Sequence, residues 1–386
     1  MIYGHFDRLA GRHVAGWAFN RTIPNQRLTV RVLVDGVEQA AAIADQYRPD
    51  LEDAGIGDGA HAFTLVLPPQ AMDGKPHQLV VEVEGAPLLG TPVDVVLPNL
   101  HYSPLPAPNP VPPIGLAICA IAKDEDSYLL EWLAYHRVVG VDHFVIFDND
   151  SSDATSRILS RLSQQGWLDH VPWPTQPDRT PQEPAYQEGV RRLNGRARWV
   201  AFIDLDEFIQ PLGNDDVRIV LADYQGVGGL MLPWRIFGSG GRQVAGEGLV
   251  MERFTWRAAE DHPVNATVKT IARPELVARV GVHTPGLSAG FLVDENFTVA
   301  GAHGDPDRHV VPQARRLVLN HYFCKSWQEW ERKRDRGIAT ALPGSPTHIR
   351  PDSHFHSHDV NDVEDKTILR FRDRVRAEMQ RLAAAL

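Results

Sequence analysis

The stretch "WVAFIDLDEFIQP", Trp199 to Pro211, runs through five apolar residues and then sets three carboxylates, Asp204, Asp206 and Glu207, among Leu205, Phe208 and Ile209. An acid beside a core costs several kcal/mol unless a cation or hydrogen-bond donors compensate it. The stretch therefore predicts a buried strand whose carboxyl end meets something positive. While the chain stays extended, Asp204 and Asp206 point to the same side, about 6–7 Å apart by strand rise, and Leu205 points into the core. Two hard oxygen ligands on one side of a strand end suit Mg²⁺ or Mn²⁺ carrying a diphosphate. A bare Asp-x-Asp also reads as a cap or an arginine partner. Repetition of acidic strand ends favours the cation.

Working outward, "IGLAICAIA" is a continuous apolar run, as in a buried parallel strand, and ends in Lys123-Asp124-Glu125-Asp126. "VDHFVIFDND" ends in Asp148-Asn149-Asp150. Between and after them lie the helical "SYLLEWLAYHRVVG", "SSDATSRILSRLSQQG" (Ser152 or Asp153 as N-cap) and "PAYQEGVRRLNG". Strand alternating with helix predicts a doubly wound α/β sheet, in which ligands sit beyond the carboxyl ends of the strands. Three of those ends are acidic.

Residues 1–98 read differently. "LTVRVLVDG" alternates, and Asp35-Gly36, Asp58-Gly59 and Asp73-Gly74 mark tight turns, so a small antiparallel β-sandwich is expected. Seven prolines between Pro98 and Pro113 exclude helix and central strand and predict a semi-rigid linker over 99–113. The α/β domain is then expected over 114–345. A loop and one amphipathic helix from Asn361 to Leu386, with Ile368, Leu369, Phe371, Val375, Met379 and Leu382 as its apolar face, complete 346–386.

The 386 residues leave room for two domains, and 43% hydrophobic with 23% charged content is that of a globular chain. A net charge of −10 argues against nucleic acid as the main partner. Only two cysteines occur, Cys119 and Cys324, both in apolar segments, which suggests a reducing compartment. "MIYGHFDRLAG" lacks the basic start and apolar core of a signal peptide, and no apolar run approaches the roughly 20 residues of a membrane span. A cytoplasmic protein is expected, with peripheral association to a membrane-bound assembly left open.

"AIAKDEDSYLLEWLAYHRVVGVDHFVIFDNDSSDAT", "WVAFIDLDEFI" and "LNHYFCKSWQEWERKRDRG", in this order and spacing, resemble the blocks of family 2-like and family 92 glycosyltransferases of GT-A fold, over roughly residues 114 to 340. The resemblance implies a nucleotide-sugar donor such as a UDP-sugar, a glycan or glycoconjugate acceptor, and an inverting, Mn²⁺- or Mg²⁺-dependent transfer of a hexose. It places Asp124 and Glu125 toward the nucleoside, Asp148 beside base and ribose, and Asp204 and Asp206 on the metal. In "NHYFCKSW", His321 sits at a strand end as third metal ligand, with His283 its rival. Lys325 stands ready for the leaving diphosphate. The motif resembles a His-…-Lys-Pro-Trp ending, with Ser326 where proline stands there. Arg332, Lys333, Arg334 and Arg336 read equally as added positive charge or as a solvated face.

An inverting transfer needs a general base, for which Asp261 is favoured over Glu260 and Glu207. "IFGSGG", Phe237 to Gly241, resembles a family segment near the acceptor. The N-terminal module is expected to serve acceptor binding or assembly, with Trp17 either stacking on sugar or in the core. "THIRPDSHFHSHD" gathers His348, His354, His356 and His358, but without cysteine and outside the sheet it reads as a decoy for zinc. Two other classes stand beside the transferase. A nucleotidyltransferase forming a nucleotide-sugar would open on a glycine-rich basic loop, which "AIAKDEDSY" lacks. A non-catalytic, lectin-like protein would not need Asp204, Asp206, His321 and Lys325 together.

Overall fold

The computed structural model of the protein describes residues 2–10, 12–68, 71–97, 110–300 and 314–386. Most of the expected proline linker falls on 98–109, outside the described residues. The chain divides into two compact units, Met1–Pro104 with Asn296–Thr298, and Leu105–Glu295 with Val299–Leu386.

The first unit holds two antiparallel sheets. One runs Ile2–Ala10, His13–Asn20, Ala60–Val66, Gln46–Tyr47; the other runs Val37–Ile43, Thr29–Val34, Pro76–Val83, Ala86–Pro87, with Val93–Val96 also on Pro76–Val83. Alternating residues of both sheets, Val14, Ala18, Phe63 and Leu65 against Val30, Val32, Leu79 and Val81, share one core. At the Asp35-Gly36 turn both residues have positive φ and Val34 pairs with Val37, the hairpin that the dipeptide signals. Trp17 is half-buried.

The second unit is built on a nine-stranded mixed sheet. Asp169–Pro172, His143–Asp148, Ile114–Ala122 and Ala197–Phe202 lie parallel, in that order. Val268–Ala272 then joins antiparallel, followed by Gly229–Ile236, Leu317–His321 and the edge strand Glu207–Pro211, with Leu292–Val293 beside Gly229–Ile236. Helices cover both faces. Trp132 of helix Asp126–Val138 packs on Phe144, while helix Gln182–Leu193 packs on Cys119 and Phe147, which point to the opposite side of the pleat. Gly189 permits that second contact, because a Cβ there would fall 2.3 Å from Cys119 Sγ.

Helix Asp126–Val138 also secures the sheet edge. Trp132 Nε1 donates to the Glu207 carbonyl (2.8 Å), the Tyr135 hydroxyl donates to the Ile209 carbonyl (3.1 Å), and His136 Nε2 accepts from the Ile209 N–H (3.2 Å). An edge strand otherwise presents unpaired backbone groups. Here two ring nitrogens and a tyrosine hydroxyl pair with three of them and fix the strand that follows the acidic turn.

The C-terminal helix is shorter than the sequence pattern suggests. It spans Arg372–Ala383, preceded by the short strand Val363–Glu364 and a 3₁₀ turn at Thr367–Phe371. Asp365 is the reason: it accepts from the Thr367 N–H and hydroxyl and pairs with Arg257 (2.7 Å), so the segment before it is tied down as strand and turn.

Gly189→Ala is expected to lower stability by about 1–3 kcal/mol, the usual cost of overpacking a tight contact. Urea denaturation of the full chain checks this; a change within about 0.5 kcal/mol, ordinary for a surface site, would show that the helix is free to move off the strand.

Candidate active site

After Ala197–Phe202 the chain turns through Ile203 to Asp206 and returns as Glu207–Pro211. The turn closes on itself: the Glu207 N–H donates to the Asp204 carbonyl (3.1 Å), and Glu207 Oε2 accepts from the Asp204 N–H (2.8 Å). Lys269 Nζ donates to Asp204 Oδ2 (3.0 Å), while Gln182 Nε2 (2.9 Å) and the Tyr186 hydroxyl (3.3 Å) donate to Oδ1. Lys333 Nζ donates to Asp206 Oδ2 (2.5 Å) and to the Phe323 carbonyl (2.9 Å). The positive partners of the acidic turn are thus two buried lysines.

The electrostatics follow. Burial opposes the Asp206 charge, yet Lys333 and His321 outweigh it and hold the carboxyl well below the usual range. Burial pushes Lys333 down to about 8 despite Asp206. Glu207, fully buried between Asp204 and Asp206, is pushed up to about 8, chiefly by burial. That rise favours the neutral form of Glu207 and eases the repulsion among the three acids.

The turn opens on a cavity of about 540 Å³ at the carboxyl ends of the parallel strands. Glu125, Asn149, Gln182, Trp234, His283 and His348 are part of its wall. Four buried polar atoms of residues in that wall have no hydrogen-bond partner among the described residues: Glu125 Oε2, Trp234 Nε1, His321 Nδ1, which lies 3.8 Å from Glu207 Oε1, and His348 Nδ1. Buried polar groups left without partners in the wall of a cleft are candidates for contact with a polar ligand.

The sequence model of glycosyltransferase family 92 matches residues 113–336, which contain this turn and most of the cleft. The chain belongs to glycosyltransferase family 92. A family 92 protein of Oryza sativa subsp. japonica is 26% identical over 232 residues, covering 58% of this chain and 36% of that relative. One of Ricinus communis is 28% identical over 248 residues, covering 63% and 41%. The chain spans well under half the length of these curated relatives. Among solved structures, Staphylococcus aureus TarS 1–349 is similar with a TM-score of 0.32 and 14% identity, over 54% of this chain and 60% of that one. Glucosyl-3-phosphoglycerate synthase from Mycobacterium tuberculosis, solved with Mn²⁺, UDP-glucose and phosphoglyceric acid, gives 0.24 and 15%, over 43% and 58%. Scores this low support no residue-level comparison.

Within this family 92 chain the expected site residues divide. Asp204, Asp206, Glu125, His321 and His283 all border the cleft. Glu125 Oε1 is held by Arg336 at 2.5 Å. Asp124 instead accepts from the Ser152 N–H (2.6 Å) and the Asp153 N–H (3.2 Å), pinning two strand-end loops together. Asp148 is turned away from the cleft as well. Burial works against its charge, but hydrogen bonds from His170, Ser151 and Ser156 outweigh that and hold its pKa at about 2. Asn149, next to it, borders the cleft in its place.

Lys325 does not face Asp206 and His321 across the cleft. Its Nζ lies over the Tyr128 ring, 4.2 Å from the centroid, in a second cavity with Asp124 and Glu329. The cations that border the main cleft are Lys123, Lys333, Arg336 and Arg350. Ser326 caps helix Trp327–Asp335, its hydroxyl donating to Glu329 Oε2 (2.5 Å) and accepting from the Glu329 N–H (3.3 Å), which explains a serine at that position. Asp261 is exposed and is not among the residues that border the cleft; it borders another pocket of about 50 Å³, which shares Trp234 with the cleft. Glu260 is bound to Arg235 (2.9 Å). The "IFGSGG" segment also stays outside the cleft. Its Ser239 and Gly240 N–H groups donate to Asp359 and Asn361, and a Cβ on Gly238 would fall 2.6 Å from the Val360 carbonyl.

Sequence reasoning missed Lys269, Gln182 and Tyr186 and discounted the histidine run, of which His348, His354 and His358 border the cleft. Lys269 carried a signal, as the single charge inside the apolar strand "VKTIA".

The sequence resemblance implies a divalent cation, and the residues can be tested against it. Asp206 Oδ1 and His321 Nε2 lie 3.5 Å apart at the cleft. Burial pushes the His321 pKa down, leaving a neutral imidazole. Asp204, expected as a ligand, is committed to Lys269, and no group of three His, Cys, Asp or Glu among the described residues is arranged to hold a metal. The set fits a cation held on the protein side by Asp206 and His321 alone, with phosphate oxygens and water completing it.

Asp148→Asn separates a structural role from a ligand role. A carboxylate depressed from 3.8 to about 2 contributes stability above pH 4 that is lost as pH falls through 2. The variant is expected to be less stable than wild type by about 2 kcal/mol at pH 7. The gap should narrow between pH 4 and 2 in denaturant titrations. A gap independent of pH would contradict the assignment.

Proposed function

We propose that this family 92 chain is a metal-dependent, inverting glycosyltransferase that moves a hexose from a UDP-sugar to a glycan or glycoconjugate acceptor. The observation that carries the reading is one cleft at the strand ends that gathers Asp206, His321, Lys333 and Glu125 and leaves four buried polar atoms waiting for partners.

Transfer of a glycosyl group leaves negative charge on the departing diphosphate, so the protein must present fixed positive charge there. Bound Mn²⁺ or Mg²⁺ would supply Lewis-acid stabilisation of that charge. Asp206 and His321 would hold it. Lys333 orients the Asp206 carboxylate through Oδ2 and leaves Oδ1 toward His321. Lys269, Gln182 and Tyr186 fix Asp204 at the rim, where its side chain is 36% exposed and open to the donor. Trp234, edge-on to His321 at 4.4 Å between centroids, limits where that ring can turn. The N-terminal β-module is assigned to acceptor binding or assembly. A cytoplasmic site beside a membrane-bound assembly completes the proposal, and no helix among the described residues is long and apolar enough to cross a membrane.

Initial rates of UDP release from UDP-sugars, against Mn²⁺ concentration, test this. Wild type is expected to require the metal, and Asp206→Asn to lose activity at every concentration. His321→Ala should need at least about tenfold more Mn²⁺ for half-maximal rate, since even outer-shell partners of metal ligands are worth that much. Metal-independent release, or release by Asp206→Asn at the wild-type rate, would contradict the reading.

A further inference from the structure

The four cations of the cleft are not equivalent. Lys333 is committed to Asp206, and Arg336 donates to Glu125 and to the carbonyls of Lys123 and Asp124. Arg350 forms no ion pair among the described residues. Its Nη1 donates to the Lys333 carbonyl (3.2 Å) and the Gly337 carbonyl (2.6 Å). Its Nε and Nη2 have no protein partner among the described residues. One edge of the guanidinium is anchored and the other is open.

An arginine serving only to fasten its own loop would not need that open edge in a polar cleft. Burial and the neighbouring Arg336 both disfavour its charge, while Asp206, Asp204 and Glu125 support it only from a distance. An anion arriving in the cleft would relieve that imbalance. The planar fork of arginine matches phosphate oxygens in pairs, and one edge already held by backbone carbonyls lowers the ordering cost of the contact. Lys123, on the first strand end, is the other cleft cation with no carboxylate partner among the described residues.

We infer that Arg350 is an anion-binding residue of the cleft, placed to grip the diphosphate of a nucleotide-sugar donor. The inference rests on the glycosyltransferase reading for the identity of the anion, and on the geometry for its existence. Arg350 lies beyond the residues 113–336 that the family model matches, so the grip belongs to the C-terminal segment of this chain. It also takes the role that the sequence suggested for Lys325. Because the contact is to phosphate, it acts on donor affinity, and it favours diphosphates over monophosphates.

The test is calorimetric titration of the full chain with UDP, UMP and inorganic pyrophosphate at fixed Mg²⁺, for wild type, Arg350→Gln, Arg350→Lys and Arg334→Ala. Arg334 pairs with Asp352 on the outer side of the same region and serves as a charge-matched control. Arg350→Gln is expected to weaken UDP and pyrophosphate by about tenfold or more and UMP by less. Arg350→Lys should fall between, and Arg334→Ala should match wild type. Equal weakening of UDP and UMP would mean that Arg350 only fastens its loop, and would overturn the inference. So would unchanged affinities in Arg350→Gln, a wild type that binds neither UDP nor pyrophosphate, or an equal effect of Arg334→Ala. If wild type binds pyrophosphate through Arg350 but no uridine nucleotide, the grip stands and the UDP-sugar reading fails.

Discussion

Two ammonium–carboxylate pairs made by buried lysines, Lys269 with the partly exposed Asp204 and Lys333 with the buried Asp206, are the constraint on which the rest of the catalytic unit depends. Three acids within four residues cannot sit at the end of a buried strand without compensation. The fold supplies it from two directions. Strand Val268–Ala272 is inserted antiparallel beside Ala197–Phe202 and brings Lys269 beneath the turn. Helix Trp327–Asp335, capped by Ser326, brings Lys333 over it. Removing one member of such a pair leaves an isolated charge, which costs far more than the pair contributes. The two elements and the turn therefore stand or fall together.

The arrangement leaves specific work for a ligand. With Glu207 pushed toward its neutral form and Asp204 and Asp206 each paired with a lysine, the repulsion within the turn is eased. Among the described residues that border the cleft, Arg350 has an open edge, and Glu125, Trp234, His321 and His348 each carry a buried polar atom without a hydrogen-bond partner.

The strands and helices around the turn were legible because their signals are local. Apolar runs marked Ile114–Ala122, His143–Asp148 and Ala197–Phe202, and the Asp35-Gly36 dipeptide marked its hairpin. That something positive meets Asp204 and Asp206 was legible too, from the cost of burying acids. Which positive group meets them was not. Lys269 and Lys333 are 65 and 127 residues from their partners, and no local pattern encodes such a pairing. The direction of Lys325 was equally hidden, because its left-handed φ of 51° turns the side chain toward Tyr128. The histidine run was discounted for lying outside the sheet, yet chain packing returns it to the cleft. Asp365 shortened the last helix through partners more than 100 residues away in sequence.

The central claim is that the acidic turn is held by charge pairing with buried lysines. A double-mutant stability cycle on Lys269→Met and Asp204→Asn, by urea denaturation at pH 7 without added metal, tests it most directly. Lys269→Met alone should cost about 1–3 kcal/mol, because it leaves the partly exposed Asp204 carboxylate without its ammonium. Asp204→Asn in the same background should restore part of that loss, with a coupling of about 1–3 kcal/mol. Additive effects, within about 0.5 kcal/mol, would mean that the two groups do not depend on each other, and the account of the turn would be wrong.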